Sequence, residues 1–152
     1  MAKRLLFWLV GAAFLISSPS LLPAQEYVFV KAAPSGPQIT TTTNDWIDIT
    51  HMAMVIDLAD PMTLSVGFSA EAYMGGAERM FIRVLVDGEP ADPSDVLFAM
   101  GTFVGTCSFR FAKSTAAGTH EIKMQWYIDA GGTGYMGDRT MFVAAAPFTI
   151  NT

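Results

Sequence analysis

From Tyr27 onward the apolar and polar residues of this chain alternate with a period of two, the spacing of a half-buried strand. In "MTLSVGFSAEAY" (62–73), Leu64, Val66, Phe68, Ala70 and Ala72 share one side, and Ser65, Gly67, Ser69, Glu71 and Tyr73 share the other. "RMFIRVLVDG" sets Met80, Ile82, Val84 and Val86 on one face. "THEIKMQWYID" does the same with His120, Ile122, Met124, Trp126 and Ile128, leaving Glu121, Lys123, Gln125, Tyr127 and Asp129 opposite. In "TFVGTCSFRFA" the shared side is Phe103, Gly105, Cys107, Phe109 and Phe111. Shorter runs such as "EYVFVKA", "QITTTT", "WIDIT", "MAMVIDL", "VLFAM" and "DRTMFVAAA" are rich in β-branched or aromatic residues. They are punctuated by "APSGP", "ADP", "MGGAE", "DGEPADPSD" and "DAGGTGYMG". No segment after the first residues sustains a helical period. Roughly eight to ten short strands, with turn signals about every 8–12 residues, predict an all-β antiparallel β-sandwich or barrel.

The first residues read differently. Lys3 and Arg4 precede the apolar run Leu5–Ile16, and "SSPSLLPA" follows with helix breakers and a small residue at Ala24. That is the order of a secretory signal peptide. As a helix the run would reach only about 18 Å, short of the roughly 30 Å of a bilayer core. The expectation is a signal peptide over 1–24, a single β-sandwich domain over 25–152, and a secreted or periplasmic protein without a membrane anchor after cleavage.

Charge and cysteine content narrow the chemistry. Beyond the leader, seven basic residues face fourteen acidic ones, a net charge of −7, which disfavours nucleic acid and anionic membrane surfaces as partners. The one cysteine, Cys107, has no internal partner for a disulfide. With Phe and Gly around it on the strand, its thiol is expected to be inert. A mean hydropathy of +0.36 with so little charge suggests that both faces of one sheet are covered, as self-association would do. Of the methionines, Met80, Met124 and Met141 fall on apolar alternations, while Met74 and Met136 are placed in loops open to contact.

Candidate chemistry is sparse. His120 and Glu121 are adjacent on a strand and so point to opposite faces; His120 is read as a hydrogen-bonded residue at the sheet rim. No nucleophile–base–orienter motif is present, so the chain is read as non-catalytic, and a carboxylate-based hydrolase is the remaining enzymatic reading. The loop holding Asp87, Glu89, Asp92 and Asp95 has the hard oxygen donors calcium prefers, without the regular spacing of a calcium loop. No other cofactor is expected. "GGTGYMGD" (131–138) lacks the Lys and Ser/Thr of a phosphate loop and is read as a hairpin loop bearing Tyr135 at its tip. Trp46, Glu121, Gln125, Tyr127 and Tyr135 are the candidate glycan-binding set, aromatic planes beside hydrogen-bonding groups. Phe81, Arg83 and Leu85 are the candidate oligomer face, with Glu71 of the preceding strand placed to neutralise Arg83.

The order from "RMFIRVLVDGEPADPSDVLFA" through "AAGTHEIKMQWYI" to "GDRTMFVAAA" resembles secreted bacterial β-sandwich domains of jelly-roll type, a resemblance that covers about residues 62–146. Its general plan is similar to the globular heads of complement C1q and tumour-necrosis-factor-like proteins and to carbohydrate-binding modules. The first resemblance implies a homo-oligomer, a trimer, with an aromatic core; the second implies sugar binding by a monomer. The leading expectation is a secreted interaction or structural module that self-associates through a sheet face. The alternative is a glycan-binding module whose partner is a surface glycan or protein.

Overall fold

The computed structural model describes residues 27–32, 37–129 and 131–147, and the expected leader lies outside them. Ten strands follow in order: β1 Tyr27–Ala32, β2 Ile39–Thr41, β3 Ile47–Leu58, β4 Met62–Met74, β5 Arg79–Val86, β6 Glu89–Pro90, β7 Val96–Met100, β8 Gly105–Thr115, β9 Gly118–Ile128 and β10 Gly134–Pro147. All pair antiparallel. One sheet runs β1-β10-β4-β8, with β2 also on β10; the other runs β3-β9-β5, with β6 and β7 on the far side of β5. Counting β1 with β2, and β6 with β7, as single strands, the orders are 1-8-3-6 and 2-7-4-5. That is jelly-roll order.

The alternation in the sequence maps onto the two inner faces. Leu64, Val66, Phe68, Phe111, Met141 and Val143 of the first sheet meet Met80, Ile82, Val84, Ile122, Met124 and Trp126 of the second, all essentially inaccessible. Each such side chain contributes about 1.5–3 kcal/mol of burial. The β5–β6 hairpin turns at Asp87-Gly88, where φ is +54° and +84°, the positive signs a two-residue type I′ connection demands.

Several expectations change once strands are assigned to sheets. β4 and β5 are consecutive but belong to different sheets, so Glu71 cannot neutralise Arg83. The segment 131–138 is no hairpin loop: β10 begins at Gly134, and β9 and β10 lie in different sheets. A bulge lets Gly137 and Asp138 fit between Met136, paired with Ala72, and Arg139, paired with Ala70. The Arg139 guanidinium donates to the Met136 carbonyl across it, at 2.8 Å. Met74 and Met136 therefore sit on inner faces, fully buried, rather than in loops. Phe103 precedes β8 instead of belonging to it, and is 84% exposed. Phe109 is also partly exposed, because β8 is the edge of its sheet.

Candidate functional site

The outer face of the second sheet collects most of the chemistry, and register explains how. Phe81 pairs with Tyr127, Arg83 with Gln125, Leu85 with Lys123, and Asp48 with Gln125. Ile47 pairs with Trp126, so its neighbour Trp46 falls beside Tyr127. The face then reads in rows: Trp46, Tyr127 and Phe81 in one, Asp48, Gln125 and Arg83 in the next, Lys123 and Leu85 beyond.

The contacts follow the rows. Tyr127 packs edge-on against Trp46 (4.5 Å between centroids) and stacks on Phe81 (5.0 Å, 11° between planes). The Arg83 guanidinium lies over the Trp46 ring at 4.3 Å, and its Nε donates to Gln125 Oε1 at 2.9 Å. Gln125 Nε2 donates in turn to Asp48 Oδ1 at 2.7 Å. At the margins Arg79 pairs with Asp129 and sits 5.4 Å from the Phe81 ring, while Lys123 Nζ bonds Glu121 at 3.0 Å. Trp46, Phe81, Arg83, Gln125 and Tyr127 are all half-buried, so each keeps part of its surface open. The result is a preformed platform of aromatic surface flanked by a linked guanidinium, amide and carboxylate.

The predicted glycan set is divided by the fold. Trp46, Gln125 and Tyr127 converge, and Glu121 lies on the same face two rows away. Tyr135 lies on the outer face of the other sheet, stacked on Tyr73 (4.6 Å, 5°). The predicted oligomer face proves to be the same surface as the platform: Phe81 and Arg83 are integral to it, and Leu85 borders it. The two sets, separate in sequence, converge on one face. The signal that could have joined them is the β5–β9 register, which direct pairing of the two polar faces would have suggested.

The acidic loop does not converge. Asp87 is turned toward β9, where Oδ2 meets His120 Nδ1 at 2.6 Å and Oδ1 accepts from the Glu121 amide at 2.9 Å. Glu89, Asp92 and Asp95 are exposed. Among the described residues no three His, Cys, Asp or Glu side chains are grouped to hold a metal ion. His120 itself is buried, with Nε2 facing the Ala116 carbonyl at 3.0 Å. Both ring nitrogens thus face acceptors, leaving neither free to take a proton from a nucleophile. The hydrogen bond that the His120 ring donates to Asp87 raises the His120 pKa, and the same bond lowers that of Asp87. Burial raises the Cys107 thiol pKa, in keeping with an unreactive group. Cys107 helps line a cleft of about 370 Å³ between β7 and β8, with Phe98, Met100 and Phe103.

No family model matches the sequence, and no curated protein matches it. Solved structures do. The infectious bursal disease virus Gx strain structure aligns over 79% of this chain with a TM-score of 0.52 at 12% identity. Dimeric latent PorU from Porphyromonas gingivalis aligns over 87%, with a TM-score of 0.50 at 12% identity. This chain spans 32% of the first protein and 14% of the second. A carbohydrate-binding module, CBM36 in complex with calcium and xylotriose, aligns over 78% of this chain and 98% of its own length, with a TM-score of 0.39 at 14% identity. At such identities the likeness is one of fold: an all-β sandwich of two antiparallel sheets.

Proposed function

We propose that this protein is a non-catalytic glycan-binding module that holds a saccharide on the outer face of β3, β9 and β5. The observation that carries this reading is the row Trp46–Tyr127–Phe81 lying directly beside the linked row Arg83–Gln125–Asp48. A sugar ring offers apolar C–H faces and a rim of hydroxyls. It therefore needs both kinds of row within one ring's width, since adjacent same-face rows on a sheet are about 7 Å apart. Arg83 and Gln125 donate, Asp48 accepts, and their mutual bonds hold them in place before the ligand arrives, lowering the ordering cost of binding. The neutral, hydroxyl-rich surface of a glycan also suits an acidic secreted domain better than a polyanion does.

Titration calorimetry against a panel of soluble neutral polysaccharides tests the reading. Tyr127→Ala and Trp46→Ala are each expected to weaken binding at least about fivefold while the circular dichroism spectrum is kept, the loss of one aromatic contact of about 1–3 kcal/mol. Retention of full affinity in both variants, or no binding across the panel, overturns it.

A further inference from the structure

The edges of the two sheets are unequal. β3 is broken by a register shift between Asp48 and Ala53, with His51 at φ +65°, and β7 is a five-residue strand with its own irregularity. β1 spans only six residues. β8 is different: eleven residues, unbroken register against β4 from Met62–Thr115 to Ala72–Gly105, and no proline. Bulges, short runs and prolines are how sheets protect their edges from pairing with another chain. β8 has such cover only at its far end. There Asp92 and Ala112 exchange both backbone hydrogen bonds, at 2.8 Å each, and Lys113 Nζ donates to the Pro90 carbonyl at 3.0 Å.

That bridge fixes the parity of the strand. Ala112 points its N–H and C=O away from β4, so Arg110, Ser108 and Thr106 point theirs outward too. Beyond Asp92 nothing among the described residues pairs with this edge. Around it lie five of the large exposed apolar residues: Leu97, Met100, Phe103, Val104 and Phe109, with Met100 at 63% and Phe103 at 84% exposure.

We infer that a second copy of this chain pairs antiparallel with β8 about a two-fold axis at Ser108. Ser108 then faces Ser108 of the other copy, and Thr106 faces Arg110 in both directions; the next pair outward, Val104 with Ala112, is closed because Asp92 already holds both backbone groups of Ala112. On the outer face of the sheet Glu71 is the β4 partner of Thr106. Arg110 of one copy therefore lies two strand spacings from Glu71 of the other, roughly 10 Å between backbones and within reach of two long side chains. Among the described residues neither Glu71 nor Arg110 has an ion pair within its own chain. The two-fold register supplies each with one, twice over. On the inner side it sets Cys107 beside Phe109 of the other copy, covering part of the apolar surface.

Light scattering on the full chain as purified, over a range of concentrations, measures the mass. The expected result is twice the chain mass. Ser108→Pro removes an N–H that points outward and so leaves the β4 ladder intact; it is expected to give a monomer. Should that variant fail to fold, Arg110→Glu alone is expected to weaken the dimer at least about tenfold, and Glu71→Arg with Arg110→Glu to restore it. A concentration-independent monomer, a trimer, or a dimer indifferent to both Ser108→Pro and Arg110→Glu overturns the inference. No saccharide enters these measurements, so their outcome is separate from that of the glycan reading.

Discussion

His120 shows what one residue does when its surroundings are fixed. In sequence it is a histidine beside a glutamate; in the fold its ring clamps the Asp87 turn and the Ala116 carbonyl together. Only the protonated ring can donate to both. Because its pKa is raised above the ordinary 6.5, its stabilisation is complete below about pH 6.5 and is lost as pH rises through the folded value. Asp87 has a lowered pKa, so its share is complete above its ordinary 3.8 and lost as pH falls through the folded value. The pair should therefore stabilise the protein most between about pH 4 and 6.5. Melting temperatures across pH 3–9 check this, with the maximum absent in Asp87→Asn,His120→Gln. Asp87→Ala alone leaves a buried ring N–H without its partner and is expected to cost about 1–3 kcal/mol in urea unfolding. Gly67 makes a second point of this kind. A Cβ there would fall inside the Phe142 ring, so Gly67→Ala should force that ring off the sheet and cost about 1–3 kcal/mol.

At the scale of elements, the strands were legible and their partners were not. Alternation in "MTLSVGFSAEAY" and "THEIKMQWYID" named the buried faces of β4 and β9 residue by residue, because one buried face leaves a period of two. The Asp-Gly pair named the β5–β6 turn. A period of two says nothing about which sheet a strand joins, however. Hence adjacency in the chain points Arg83 to Glu71, whereas its partner is Gln125, 42 residues away. The places of Met74, Met136 and Phe103 are hidden for a related reason: strand ends depend on the partner's length, and the β10 bulge holds two residues inside a strand. The platform was half legible. Trp46, Gln125 and Tyr127 were recognisable by type, but Phe81 and Arg83 join them only through register. The hairpin turn offers a clean test of the element. At Gly88 φ is positive and nothing lies within 4 Å of an added Cβ. Gly88→Ala should therefore cost about 1 kcal/mol through backbone strain alone, with the melting midpoint lowered and binding unchanged.

For the molecule as a whole, jelly-roll order means that nearly every strand must find a partner distant in sequence, because β3 to β4, β4 to β5, β8 to β9 and β9 to β10 all cross between sheets. Such topologies close large loops before gaining contacts, and refolding by stopped flow is expected on the scale of milliseconds to seconds. The sandwich also separates the two indoles of the described chain. Trp126 is sealed in the core at 1% exposure, while Trp46 stands half-open on the platform beneath a guanidinium. Their emissions should differ accordingly, blue-shifted for the sealed ring and red-shifted for the open one. The described part of the chain, within residues 27–147, thus carries two optical gauges of its own, with Trp8 lying outside it. Denaturant is expected to move the first, whereas the proposed saccharide, settling on the platform, would move the second, so that a single cuvette could tell unfolding from occupancy without any attached dye.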